Sequence, residues 1–118
     1  MLQANELRIG NLVEYYDGRF IQVDGNVILA LVTVPNYADP IKLTPDIFIK
    51  CGFEFDRYAP DYSLIVNRSW VLLFNNEKGF RIADFNDDYY KNGCNVNFLH
   101  QLQNLYFALT GEELNIQL

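Results

Sequence analysis

Turn signals divide the first third of the chain into short apolar runs. Residues 12–16, 20–23 and 27–34 are rich in Val, Ile, Leu, Tyr and Phe, and the pairs Asp17-Gly18 and Asp24-Gly25 separate them. Asp-Gly between apolar runs favours a tight hairpin, because both central turn residues must tolerate a positive φ. The pattern predicts a three-stranded antiparallel meander over residues 11–34, ended by Pro35, and such a meander could curl into a barrel-like sheet.

A short helix is expected next, over residues 44–51. Thr44 suits the N-cap, Pro45 the first helical position and Asp46 the first turn, where a carboxylate complements the helix dipole. Gly52 suits the left-handed position that ends a helix, with Phe53 placed to close back on Phe48. Residues 64–66, 70–74 and 80–85 then read as strands, separated by Asn67-Arg68 and by 75–79. Phe80, Ile82 and Asp84 alternate with Arg81, Ala83 and Phe85, as in a sheet with one covered face. Lys91-Asn92-Gly93 predicts one more turn, leading to a strand at 94–96.

A longer helix is predicted over residues 98–110. Phe98, Leu102, Leu105, Tyr106 and Leu109 recur at helical spacing, Asn95 or Asn97 can cap the start, and Gly111 can end it. Leu114, Ile116 and Leu118 alternate with polar residues and suggest a final edge strand. The elements sum to an α+β fold in a single domain, 1–118, with sub-units at 1–40 (the meander) and 41–118 (helix, second antiparallel sheet, long helix).

Composition narrows the class. Half of the 118 residues are apolar, 15% are aromatic and 20% are charged, which is globular and neither disordered nor fibrous. The longest apolar runs, 27–32 and 70–74, are far below the ~20 residues of a membrane span, so no membrane partner is expected. The opening MLQANELRIG has no apolar h-region, so no export signal is expected and the cytoplasm is the anticipated setting. There Cys51 and Cys94 are expected as free thiols, Cys51 as a core filler.

Charge bears on partners. Nine Lys and Arg against fifteen Asp and Glu give a net charge of −6, and no two basic residues are adjacent. Nucleic-acid binding wants clustered positive charge, so no nucleic-acid partner is expected.

The search for chemistry finds little. With one histidine, His100, a zinc site would need Cys51 and Cys94 to converge on it from unrelated elements. Asp84-x-Asn86-x-Asp88 opens like a calcium loop but has Tyr89 where glycine is required and Asn95 where the bidentate Glu belongs. Lys78-Gly79-Phe80 opens like an RNA-recognition strand and breaks at Arg81. Asn67-Arg68-Ser69 is a glycosylation triplet that without export is only a turn. No phosphate-binding glycine loop is present. No catalytic residue, metal site or cofactor is therefore assigned.

The long helix carries no formal charge from Asn97 to Thr110 unless His100 is protonated. At about 100° per residue, Phe107 falls opposite the main apolar stripe, flanked by His100, Gln103 and Asn104. These four residues form a candidate contact face. Either another layer of the same domain covers it, or it takes a protein partner or a second copy, or it forms a small-ligand site.

Two blocks resemble a known family. Ala4-Asn5-Glu6-Leu7-Arg8-Ile9-Gly10-Asn11 and the closing block His100-Gln101-Leu102-Gln103-Asn104-Leu105-Tyr106-Phe107-Ala108-Leu109-Thr110-Gly111-Glu112-Glu113-Leu114 look like the ends of small uncharacterised proteins of gut Bacteroides-type bacteria and their phages and mobile elements. Residues 43–53 resemble that family's middle helix-and-Gly segment more loosely. The resemblance implies a bacterial or phage setting and marks the C-terminal helix as a defining element. It transfers no catalytic residue. The reading that emerges is a non-enzymatic intracellular accessory or interaction protein. Its rivals are a small enzyme, in which Asp84 or Glu54 meets His100 in a pocket, and an acidic decoy of a nucleic-acid-binding protein.

Overall fold

The Asp24-Gly25 pair starts a helix where the sequence pattern predicts a turn. In the computed structural model, described for residues 2–34, 36–58, 61–66, 70–75, 77, 79–84, 89–91 and 96–117, the Asp24 side chain accepts a hydrogen bond from Val27 N at 2.9 Å. That is an N-cap bond, and helix α1 follows over Gly25–Thr33. The expected third strand at 27–34 is thus corrected to a helix. Its Val and Ile favour strands only weakly, and an unbroken apolar run has no period to decide between the two. Val27 and Leu31, four residues apart, both join the core, and that contact selects the helix.

Contacts divide the chain into two units, each built from two stretches of sequence: Met1–Leu43 with Asn97–Leu105, and Thr44–Val96 with Tyr106–Leu118. In the first unit a 3-10 turn (Ala4–Glu6) precedes β1 (Leu12–Tyr15) and β2 (Phe20–Gln22), which form the hairpin expected around Asp17-Gly18. The third strand is β3 (Ala38–Asp39), which pairs with the free edge of β1 through Tyr15↔Ala38. The order is β2-β1-β3, an open antiparallel sheet and not a meander, and no barrel closes among the described residues. Leu2, Val13, Val23, Val27 and Ala38 form its core, flanked by Leu7, Ile21, Ile28, Leu31 and Tyr37.

The second unit starts with α2 (Pro45–Lys50), built as the sequence requires. Thr44 Oγ1 accepts from Ile47 N at 3.2 Å. Gly52 has φ +92°, Gly52 N donates to Ile49 O and Phe53 N donates to Phe48 O, both at 3.0 Å. These two bonds make the Schellman stop, and the Phe53 ring meets Phe48 edge-on at 5.0 Å. Five strands follow in consecutive antiparallel order: β4 (Glu54–Asp56), β5 (Asp61–Ile65), β6 (Trp70–Asn75), β7 (Gly79–Asp84) and β8 (Tyr89–Lys91). Phe48 is fully buried and stacks on Tyr62 and Phe74 from adjacent strands, with ring centroids at 5.6 and 4.8 Å.

The last helix is α3 (Leu99–Thr110), whose residues through Leu105 belong to the first unit and the rest to the second. Its start is closed by Gln101, whose Oε1 accepts from Asn97 N and Phe98 N at 2.8 and 3.1 Å. Leu114–Gln117 is not a strand. Leu114 is buried, and Gln117 N donates to Lys50 O at 2.8 Å. Strand β4 was not expected. The turn at Asn67-Arg68 and most of the strand expected at 94–96 lie outside the described residues. The fold is α+β with two antiparallel sheets.

Candidate functional site

The amides of α3 hold the segment that leads into β1. That segment is shaped by a turn from Arg8 to Asn11, in which Asn11 N donates to Arg8 O at 3.0 Å and Gly10 takes φ +101°. Asn11 Oδ1 accepts from Arg8 N at 2.6 Å. Gln103 then bonds both sides of the turn's exit: its Oε1 accepts from Leu12 N at 2.8 Å and its Nε2 donates to Gly10 O at 3.3 Å. Asn104 Oδ1 accepts from Asn11 Nδ2 at 2.9 Å and from Arg8 Nε at 3.2 Å, and its Nδ2 donates to Glu6 O at 3.3 Å. Residues 6–12 near the N-terminus and residues 103–104 of α3 are therefore bonded to each other.

His100 sits one turn earlier with no exposed surface. Its Nε2 lies 3.4 Å from Glu6 Oε1, an ion-pair distance without hydrogen-bond alignment, and neither ring nitrogen has a hydrogen-bond partner in the structure. Burial pushes its pKa below the ordinary 6.5, and the Glu6 carboxylate pulls in the opposite direction. The imidazole has no exposed surface at which a substrate could meet it. The carboxylate beside it is Glu6; Glu54 belongs to the second unit.

Of the four residues of the expected contact face, His100 and Gln103 are interior and Asn104 is half-buried against the N-terminal segment. A second chain cannot touch the first two. Phe107, in the second unit, is 38% exposed.

The other groups able to do chemistry are also held in the fold. Cys51 is buried, and burial pushes its thiol up to about 12, so it is not a nucleophile at neutral pH. Cys51 lies beside a groove of about 220 Å³ that Gly52, Leu64, Tyr106, Leu114 and Gln117 help to line. Asp61 Oδ1 accepts from Arg81 Nη2 and from Asn75 Nδ2, both at 2.6 Å, and Arg81 is buried. Among the described residues no three His, Cys, Asp or Glu side chains are placed to share a metal ion. The calcium-like stretch at Asn86 and Asp88 lies outside the described residues.

Sequence reasoning missed the outer face of α1. Val27 is its buried side; Leu29 and Val32 are 62% and 69% exposed, and Val34 just beyond the helix is also exposed. A helix with one side in water ordinarily carries charge there. The signal was present: no residue between Asp24 and Asp39 carries a formal charge. Reading 27–34 as a strand concealed it.

No family model matches the chain, and the searches of curated proteins and of solved structures also find no match. Among the described residues no helix is long and apolar enough to cross a membrane.

Proposed function

We propose that the chain is a non-enzymatic accessory protein that acts in the cytoplasm of a bacterium or its phage by binding another polypeptide. The observation that supports this is the uncharged, exposed face of α1. Leu29 and Val32 leave most of their side chains in water. Covering each fully would be worth up to about 1.5–3 kcal/mol, a return that a partner chain can collect. His100, Gln103 and Cys51 are buried, and half-buried Asn104 bonds the Asn11 side chain. The resemblance of the two terminal blocks supports the bacterial or phage setting.

The test is a photo-crosslinking side chain placed at Val32, and separately at the exposed Gln22 on the edge strand, in producing cells. Discrete protein adducts from position 32 and none from position 22 are expected. Equal, diffuse labelling from both positions would overturn the reading.

A further inference from the structure

The outer face of α1 is complementary to itself. Projected at about 100° per residue, Leu29 stands at its centre, with Gly25 and Val32 to one side and Asn26 and Thr33 to the other. Along the axis, Gly25 and Asn26, which has no branch at Cβ, stand at the N-terminal end, and the β-branched Val32 and Thr33 at the C-terminal end. Thr33 Oγ1 donates to Leu29 O at 3.0 Å, so its hydroxyl proton is already bonded within the helix. A two-fold axis passing by Leu29 and perpendicular to the helix would lay two copies antiparallel. It would set Val32 of each copy against Gly25 of the other, and Thr33 against Asn26. Val32 then fills the space that Gly25 leaves. A parallel pairing would set the N-terminal ends, Gly25 and Asn26, against each other and leave Gly25 without a large side chain opposite. The antiparallel arrangement also opposes the two helix dipoles.

Charge points to the same occupant. Each chain carries a net charge of −6, so two copies repel over most of their surface. The stretch between Asp24 and Asp39 has no formal charge and lets two acidic copies meet without opposed carboxylates. A strongly charged partner would find no counter-charge on it. We infer that α1 pairs with α1 of a second copy of this chain in a two-fold, antiparallel dimer. The inference rests on the interaction reading above and names the partner.

Area sets the strength. Leu29, Val32 and Val34 are 62%, 69% and 48% exposed. Only Leu29 and Val32 lie on this face of the helix, and the apolar area they offer is well below the ~1,200 Å² at which stable specific interfaces begin. The dimer is therefore weak and transient.

Sedimentation equilibrium of the purified chain across the micromolar to millimolar range tests this. The average mass is expected to rise from 13.7 kDa toward twice that value. Leu29→Lys and Val32→Lys are expected to weaken association by at least about tenfold while keeping the wild-type circular dichroism and melting. Ile65→Lys, at an exposed apolar residue of the second unit, is expected to associate as wild type. In a Cys94→Ser background, mixing Asn26→Cys and Thr33→Cys chains is expected to give the mixed disulfide in excess over either homodisulfide. A mass of one chain at every concentration overturns the pairing, as does association that Leu29→Lys leaves intact. An excess of homodisulfides overturns the antiparallel geometry. If the chain stays monomeric but Val32 crosslinks to a different polypeptide in cells, the self-pairing fails and the interaction reading stands. If both measurements are blank, both fail.

Discussion

Asn11 and Asn104, 93 positions apart, join their side chains through a hydrogen bond of 2.9 Å from Asn11 Nδ2 to Asn104 Oδ1. Asn11 is fully buried, so this acceptor is the means by which a sealed amide donor is satisfied. Asn104→Ala is expected to lower stability by about 1–3 kcal/mol, measured by urea denaturation, because it leaves that donor stranded. Combined with Asn11→Ala, the loss should fall short of the sum of the two single losses by about 0.5 kcal/mol or more. Strict additivity would show that the pair is not coupled.

Acid should loosen the same region. Burial holds the pKa of His100 below its ordinary 6.5, so the folded chain takes up this proton less readily than the unfolded one. The contribution to stability is complete above about pH 6.5, declines as pH falls below it, and levels off once folded His100 is itself protonated. His100→Leu is expected to flatten this part of the curve of melting temperature against pH. Glu6→Gln removes the opposing carboxylate and is expected to lower the His100 pKa further, which a proton NMR titration of the imidazole reads directly.

The ends of α2 are expected to matter out of proportion to its length. Thr44→Ala should cost about 1 kcal/mol by removing the acceptor for Ile47 N. Gly52→Ala should cost about 1 kcal/mol or more. The added Cβ would meet Leu64 Cδ1 at 3.8 Å, an ordinary contact, so the cost arises from the backbone at φ +92° and not from crowding. Gly52→Asn should recover part of it, since Asn tolerates that conformation better. Chemical denaturation of the three variants compares them.

The Cys51 thiol should resist labelling in the native chain, because burial pushes it up to about 12 and leaves almost no thiolate at neutral pH. In a Cys94→Ser background, a disulfide-exchange reagent is expected to react with Cys51 at the rate at which the second unit opens, accelerating with denaturant.

Local signals carried α2 completely. Its cap bond spans three residues and its stop bond five, so every partner was visible in one short window. The Asp17-Gly18 hairpin and the cores of β5, β6 and β7 were legible for the same reason. Asp24 was ambiguous because a side-chain oxygen beside glycine serves a turn and an N-cap equally well. Strand β4, Glu54–Asp56, is polar and only three residues long, and it takes its conformation from pairing with β5. The missing charge on α3 pointed to a covered face, with protein or a small ligand as the cover. It could not show which, because the partners of Gln103 and Asn104 lie 91 to 98 positions away. The outer face of α1 became legible only once the segment was known to be a helix.

The division of α3 between units has a consequence for synthesis. The first unit includes Asn97–Leu105, and the segment from Glu6 to Leu12 draws its hydrogen bonds from that stretch. When residues 1–43 emerge from the ribosome their closing helix does not yet exist. At about 5–20 residues per second, several seconds pass before it does. During that interval the buried amide of Asn11 has water as its partner, and the apolar side chains of α1 stand beside a half-built core. The second unit up to Val96 is made before that helix and can assemble most of its sheet while the first unit waits. The part translated first thus stays open until Leu105 has been made, and a nascent chain stalled before Asn97 should be protease-sensitive in its N-terminal third.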